Sequence, residues 1–424
     1  MSDSVNLVCE WGREPLPISQ SPQVAYLFIE AQVASVPTET VPLNFCLVLD
    51  RSGSMQGQKL AALKDATKRV IDTLTPQDIV SIVLFDDTVQ VLVPATAATD
   101  KQALKNQIDA VVEAGGTAMS GGMQAGLDEL KRNAGADRVS SMLLLTDGQT
   151  WGDEQTCRTL AHQLAQANVR ITALGLGAEW NEKLLDDVAE ITGGVSDYIA
   201  DPEKITSFFQ RAVRSAQGTV AQDARLLLRL VQDVTPRSVY RTAPVITNLG
   251  YQPIAQNEVS VKLGNLETSI SAGLVVDMML PARAPGSFRV AQVELHYTPL
   301  GGSDQVIKRD VLISFSADTN APAYNPKVMN LVEKVTAFKL QTRALSEAEA
   351  GNVAGATQKL RAAATRLLDL GELDLAQKAQ QQAEQLESGQ QMNAETQKEL
   401  RYATRRLTQK LEEEEIPVTE EKAQ

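Results

Sequence analysis

The chain of 424 residues is more than twice the length of a common single domain, so two or three folded units are expected. It is 43% hydrophobic and 22% charged, a globular balance that argues against a disordered, collagenous or membrane-spanning chain. A formal charge of −13 is the wrong sign for gripping a phosphate backbone, which argues against nucleic acid as a partner.

Only His162 and His296, with Cys9, Cys46 and Cys157, could supply nitrogen or sulfur chemistry. The cysteines are odd in number and far apart, so they form neither a disulfide framework nor a metal-ligand pattern. The N-terminus lacks a basic stretch followed by an apolar one, and no run of 18 apolar residues follows. A reducing, cytoplasmic setting without membrane insertion is the expectation.

Residues 1–42 carry two strand-like runs, VNLVCEW and VAYLFIEAQV, expected to join a β-sandwich. From 43 to 217, short apolar runs alternate with amphipathic stretches, the pattern of a parallel sheet covered by helices on both faces. The runs are FCLVL, IVSIVLF, VQVLV, MLLLT, VRITALGLG and VSDYIA, with helices expected near 57–73, 99–113, 121–132, 155–168, 181–191 and 203–215. In the first of these helices Leu60, Leu63, Thr67, Val70 and Ile71 recur at spacings of three and four, giving one sheet-facing stripe. Residues 218–320 change to period-two alternation between turns, which predicts an antiparallel sandwich.

From 326 to 412 the composition turns to Ala, Gln, Glu, Leu, Lys and Arg, with helices expected at 326–349, 352–369, 372–388 and 394–412, separated by Gly351, Gly371 and Gly389. These read as helical hairpins; their likeness to tetratricopeptide repeats lacks part of that signature. Residues 413–424 form an acidic tail. The fold class expected is therefore α/β, a doubly wound, mostly parallel sheet inserted in or flanked by an antiparallel β-sandwich, followed by C-terminal α-helical hairpins.

Three loops carry the candidate chemistry. Asp50-Arg51-Ser52-Gly53-Ser54 follows the first α/β strand, Gly115-Gly116-Thr117 precedes a helix, and Thr146-Asp147-Gly148 closes the fourth apolar run. In an open α/β sheet, ligands bind beyond the carboxyl ends of the strands, where these loops converge if their strands are neighbours. They supply hard oxygen donors alone, which suits Mg²⁺, Mn²⁺ or Ca²⁺ and disfavours zinc or copper.

This pattern resembles a von Willebrand factor type A (VWA) domain, also called integrin I-like, of the bacterial type, with a metal-ion-dependent adhesion site (MIDAS). That family's Asp-x-Ser-x-Ser, Thr and Asp fall here on Asp50, Ser52, Ser54, Thr117 and Asp147. The resemblance implies a Rossmann-like fold over roughly 43–215. It also implies direct coordination by Ser52, Ser54 and Thr117, with Asp50 and Asp147 acting mainly through water. A further implication is an open position filled by the Asp or Glu of a protein partner. Mg²⁺ is the ion expected, with Mn²⁺ or Ca²⁺ as alternatives. The flanking regions are more loosely similar to accessory parts of bacterial and inter-alpha-trypsin-inhibitor-like members.

The chain departs from the pattern at Ala118, where many members carry an acidic or amide residue, so a supporting hydrogen bond is expected to be missing. Asp86, Asp87, Asp153 and Glu154 lie near the same rim and are expected to be solvated loop carboxylates. A haloacid-dehalogenase-like phosphotransferase needs a second Asp where Ser52 stands. A serine hydrolase needs a nucleophile elbow and a nearby His, and His162 falls in a helix. No phosphate-binding glycine loop is present. The reading is a non-enzymatic, cation-dependent protein-binding module. The alternative is an intracellular scaffold or signalling adaptor that binds through its C-terminal helices with a vestigial metal site.

Overall fold

The computed structural model describes residues 5–33, 41–135, 137–150, 152–250, 252–255, 257–318, 323–390 and 393–409. The acidic tail at 413–424 and the last residues of the fourth C-terminal helix candidate lie outside the described residues.

Six strands form the α/β sheet in the spatial order Val195–Ile199, Arg170–Leu176, Val139–Thr146, Leu43–Asp50, Ile79–Phe85, Val89–Ala97. All neighbours are parallel except the last pair, where Val89–Ala97 returns antiparallel as an edge. The covering helices are α1 (Gln58–Thr73), α2 (Lys101–Asp109), α3 (Met119–Arg132), α4 (Glu154–Gln166), α5 (Glu182–Ile191) and α6 (Ile205–Gln217). The alternation of side chains along the central strand decides which helices sit where. Phe45, Leu47 and Leu49 pack with residues of α1, α2 and α6, whereas Cys46 and Val48 pack with α3, α4 and α5. Both sets are almost fully buried, which is why this strand reads as one unbroken apolar run.

The remaining strands make two larger, mostly antiparallel sheets and a short antiparallel pair, Arg13–Glu14 with Ala323–Tyr324. One has the order Val5–Trp11, Gln23–Val33, Ala272–Leu280, Thr235–Arg241, Thr247–Asn248. The other has Gln252–Ala255, Glu258–Glu267, Thr219–Leu230, Gly286–Pro299, Gln305–Ser316 and, parallel at its edge, Leu16–Pro17. One core joins them, with Leu27, Ile29 and Leu274 from the first sheet against Leu226, Leu228, Val293 and Ile313 from the second. The N-terminal strands are therefore part of this sandwich, and the α/β layer lies between its segments in the chain.

The C-terminal helices are α7 (Pro326–Glu349), α8 (Val353–Asp369), α9 (Leu373–Glu387) and α10 (Ala394–Arg405). Asn325, Asn352 and Asn393 cap three of them, each accepting a backbone N–H with its side-chain oxygen. Leu360, Leu367, Ala379 and Ala383 share a core with Tyr240 and Ile246 of the sandwich. Tyr402 of α10 instead enters the α/β core beside Trp180 and Tyr198. No helix among the described residues is long and apolar enough to cross a membrane. Cys46 and Cys157 are buried and Cys9 is half-buried, all three as free thiols.

Candidate functional site

The first and third site loops leave neighbouring strands at the same level, since Leu49 is registered with Leu145. Asp50 and Thr146 are the terminal residues of those strands, and the Thr146 hydroxyl donates to Asp50 Oδ2 at 2.6 Å. The other oxygen, Oδ1, accepts the Ser52 backbone N–H at 2.8 Å, an Asx turn that folds the loop back over the strand end. Asp50 is fully buried. Burial pushes its carboxyl above the usual range, as does the nearby Asp147 charge, while the hydrogen bonds from Ser52 and Thr146 pull it down.

The second loop is held against the first by backbone bonds, Gly53 N–H to Gly115 O at 3.1 Å and Ala114 N–H to Arg51 O at 2.9 Å. Gly115 has φ of +49°, and a Cβ there would lie 2.7 Å from Asp87 Oδ2. A residue with a side chain would be strained and crowded at this point.

These supports bring the hydroxyls together. Ser52 Oγ and Ser54 Oγ are 3.1 Å apart, and Ser54 donates to Asp147 Oδ1 at 2.6 Å. A Cβ on Gly148 would meet Thr117 Oγ1 at 3.2 Å and Ser54 Oγ at 3.9 Å, so the bare glycine leaves the space between the second and third loops open. Asp50, Ser52, Ser54, Thr117 and Asp147 thus lie in one cluster, with the hydroxyls in front and the carboxylates behind.

Among the described residues no group of three or more His, Cys, Asp or Glu is arranged to hold a metal. The donor set is instead neutral hydroxyl oxygen backed by two carboxylates, a chemistry that fits a hard divalent cation.

Several neighbours act in ways their sequence positions did not indicate. Asp86 is buried, paired with Arg51 Nε at 2.6 Å and accepting the Thr88 N–H, so it is a structural ion pair and not a solvated carboxylate. Burial alone would raise its carboxyl, but the Thr88 bonds and the Arg51 charge outweigh that and hold it low. Asp153 is also committed: its Oδ2 accepts the Ser120 N–H in the first turn of α3 at 2.8 Å. Because Ala118 is the N-cap of α3 and offers no side-chain bond, Asp153 supplies from across the third loop the cap that residue 118 lacks. Thr150 completes the link by donating to Thr117 O at 3.0 Å and bonding Asp153. Asp87 stays exposed and Glu154 opens α4. His162 is exposed on α4, and His296 lies on a sandwich strand beside Glu294.

Lys59 is the residue that sequence reasoning missed. Its ammonium sits 2.5 Å from Asp147 Oδ2, and its side chain is one-third exposed. A lysine at the second position of a helix opposes the helix dipole, and that mismatch was the available signal.

Comparison with known proteins places residues 44–211, which carry this cluster, in a family. The family model described as "von Willebrand factor type A domain" matches residues 44–211, and that described as "Sll0103-like, C-terminal alpha-helical domain" matches 326–410. The chain is 28% identical over 375 residues to "Uncharacterized protein sll0103" of Synechocystis sp., covering 87% of this chain and 89% of that one. It is 24% identical over 318 residues to the E3 ubiquitin-protein ligase WAV3 of Arabidopsis thaliana, 73% of this chain and 40% of that protein. Among solved structures, a von Willebrand factor type A protein from Catenulispora acidiphila superposes with a TM-score of 0.73 at 20% identity, covering 96% of this chain and 98% of that one. The ArnB paralog VWA2 from Sulfolobus acidocaldarius gives 0.60 at 14% identity, covering 96% and 99%. At these identities the two structures establish the shared fold.

Proposed function

Residues 44–211 are a von Willebrand factor type A domain, a family of protein-interaction modules, and from that premise we propose a protein that binds partners through a divalent cation. Ser52, Ser54 and Thr117 would hold the ion directly, with Asp50 and Asp147 behind them through water. Mg²⁺ is the proposed cation. When bound, it supplies an electrophilic centre for an acidic side chain of the partner.

The observation that carries this reading is the division of labour among the oxygens. Both oxygens of Asp50 accept hydrogen bonds, from Ser52 N–H and the Thr146 hydroxyl, and Asp147 accepts from Ser54 and Lys59. With the carboxylates so engaged, direct ligation falls to neutral hydroxyls. A cation held by neutral donors keeps most of its charge for a ligand from outside. In a chain of net charge −13, an acidic partner is repelled at long range, so attraction must come from the ion itself. A non-enzymatic role, a cytoplasmic location and the modular division 43–217, 218–320 and 326–412 belong to the same proposal.

The test is capture of partners from native lysate on immobilised full-length protein, with Mg²⁺, with EDTA, and with Asp50→Ala as control. Retention that needs both Mg²⁺ and Asp50 supports the reading. Retention unchanged by EDTA refutes it.

A second reading, a scaffold acting through its C-terminal helices, is favoured by one observation. Leu368 and Leu373, on either side of the turn from α8 to α9, are 54% and 66% exposed. Loss of partners in Leu373→Glu, with indifference to EDTA, would select it.

A further inference from the structure

A cavity of about 280 Å³ lies where α5 of the α/β layer, the sandwich strand Thr235–Arg241, α7 and α10 come together. It is far from neutral. Five cationic side chains line it, Arg241, Lys339, Arg343, Arg401 and Arg405, against the two carboxylates Asp186 and Glu190. Asp186 is already engaged by Arg401 Nη2 at 2.5 Å and Arg405 Nη1 at 3.0 Å. Glu190, on the rim, is exposed. Arg241, Lys339 and Arg343 therefore make no direct ion pair among the described residues, and carboxylates such as Glu190 and Asp277 act on Arg241 and Lys339 only as nearby charges.

Arg241 is the most telling of the three. It is 8% exposed, and its side chain makes one long bond, Nη2 to Leu263 O at 3.4 Å. Burial first, and then the charges of Arg170 and Arg405, lower its guanidinium to about 10 against the opposing pull of Glu190 and Glu267, which still leaves it charged at neutral pH. A buried guanidinium with no direct carboxylate contact and two other guanidiniums nearby is costly unless an anion completes the site. Lys339 and Arg343 repeat the pattern. They are four residues apart on one face of α7, an unfavourable like-charge spacing, and burial and Arg343 together depress the Lys339 ammonium. Between them, Thr342 also lines the cavity, and its buried Oγ1 has no hydrogen-bond partner among the described residues.

We propose that this junction is a binding site for a small phosphate-bearing anion. Converging guanidinium forks and an ammonium match the several oxygens of a phosphate better than the two of a carboxylate. The cavity is larger than one phosphate group and accommodates a further group of a small phosphorylated molecule. Because its walls come from the α/β layer, the sandwich and the C-terminal helices, the bound anion ties all three together. The site is separate from the hydroxyl cluster at the strand ends and does not depend on a cation there.

The test is calorimetric titration of the full chain with inorganic pyrophosphate at fixed ionic strength and in EDTA, which keeps the cation site out of the reading. Saturable binding is expected. Arg343→Ala, at an exposed position that leaves the core intact, and Lys339→Ala should each weaken it about tenfold, the scale of one charge-assisted hydrogen bond. Asp50→Ala should bind as the unaltered protein does. Absence of saturable binding overturns the proposal, as does unchanged affinity in the doubly substituted protein with native circular dichroism. Equal affinity for sulfate would reduce the site to nonspecific charge and overturn the assignment to phosphate.

Discussion

Asp186 offers the most quantitative test of how the C-terminal helices are joined to the α/β layer. It stands on α5 and receives four donors, Arg401, Tyr402 and Arg405 from α10 and Ser196 from the adjacent strand. The Arg405 side chain is 9% exposed and that of Asp186 18%, so these pairs are only weakly screened. Removing one partner of a buried pair costs about 3–5 kcal/mol, because the remaining charge is stranded. Asp186→Asn keeps one acceptor oxygen, which places its cost near the lower end, about 3 kcal/mol. That corresponds to roughly a hundredfold more frequent opening of α10. Hydrogen exchange read by mass spectrometry is the assay, with faster exchange expected in 394–405 and unchanged protection in the strand Leu43–Asp50.

The pH dependence has the same origin. Burial is the largest influence on the Asp186 carboxyl and raises it, but Arg405 and Arg401 outweigh burial and leave it below its ordinary value. The unfolded chain therefore binds this proton first. The stabilisation is complete above the unfolded value of about 3.9 and is lost as pH falls through the lower folded value. Glu182 is raised by burial, so it has the opposite sign and cannot supply this acid sensitivity. Protection of α10 should fall below about pH 4 in the native protein, whereas Asp186→Asn shows weak protection already at neutral pH. Equal exchange in the two proteins at pH 7 would refute the account of docking.

Other outcomes follow from single contacts. Lys398→Met, which strips an ammonium that donates to Ala178 O at 2.6 Å and Trp180 O at 2.8 Å, should destabilise by about 2–4 kcal/mol in a urea melt. Gly115→Ala should cost about 1–2 kcal/mol by the same measure, since its φ is +49°. Its cation affinity should fall as the second loop shifts. Lys59→Met should raise cation affinity about threefold, because a partly exposed charge beside Asp147 is removed; a fall would show that the ammonium supports the site. Leu47→Ala, at a fully buried position in the central strand, should lower stability by about 3 kcal/mol in the same urea melt.

Much of this was legible in the sequence where local chemistry decides the outcome. The run FCLVL implied a strand covered on both faces, and its side chains do divide between two helical layers. The edge strand was harder: Val89 and Val91 look like core residues but are 40% and 37% exposed, because the sheet ends there. The second α/β helix was expected to continue to residue 113, yet α2 ends at Asp109, since the following residues must turn to reach the site as the second loop. Likewise α3 begins at Met119 and not at Gly121, because Asp153 caps it from another loop. Such a cap links residues 33 apart, and no local pattern reveals it. The same is true of Lys59 with Asp147 and of Arg51 with Asp86, whose partners are set by which strand ends are adjacent. The convergence of the five proposed site residues was legible because each stands at a strand end or before a helix, where sequence punctuation is strongest.

The most direct measurement of the central claim is Mn²⁺ binding, followed by electron paramagnetic resonance, for the native protein and Thr117→Val. Thr117 Oγ1 makes no hydrogen bond among the described residues, so its loss should leave the fold and melting temperature nearly unchanged. One tight equivalent of Mn²⁺ is predicted for the native chain, with affinity reduced at least tenfold in Thr117→Val, the worth of about 1.4 kcal/mol. Equal Mn²⁺ affinity in the two proteins, or no stoichiometric binding by the native chain, would contradict it.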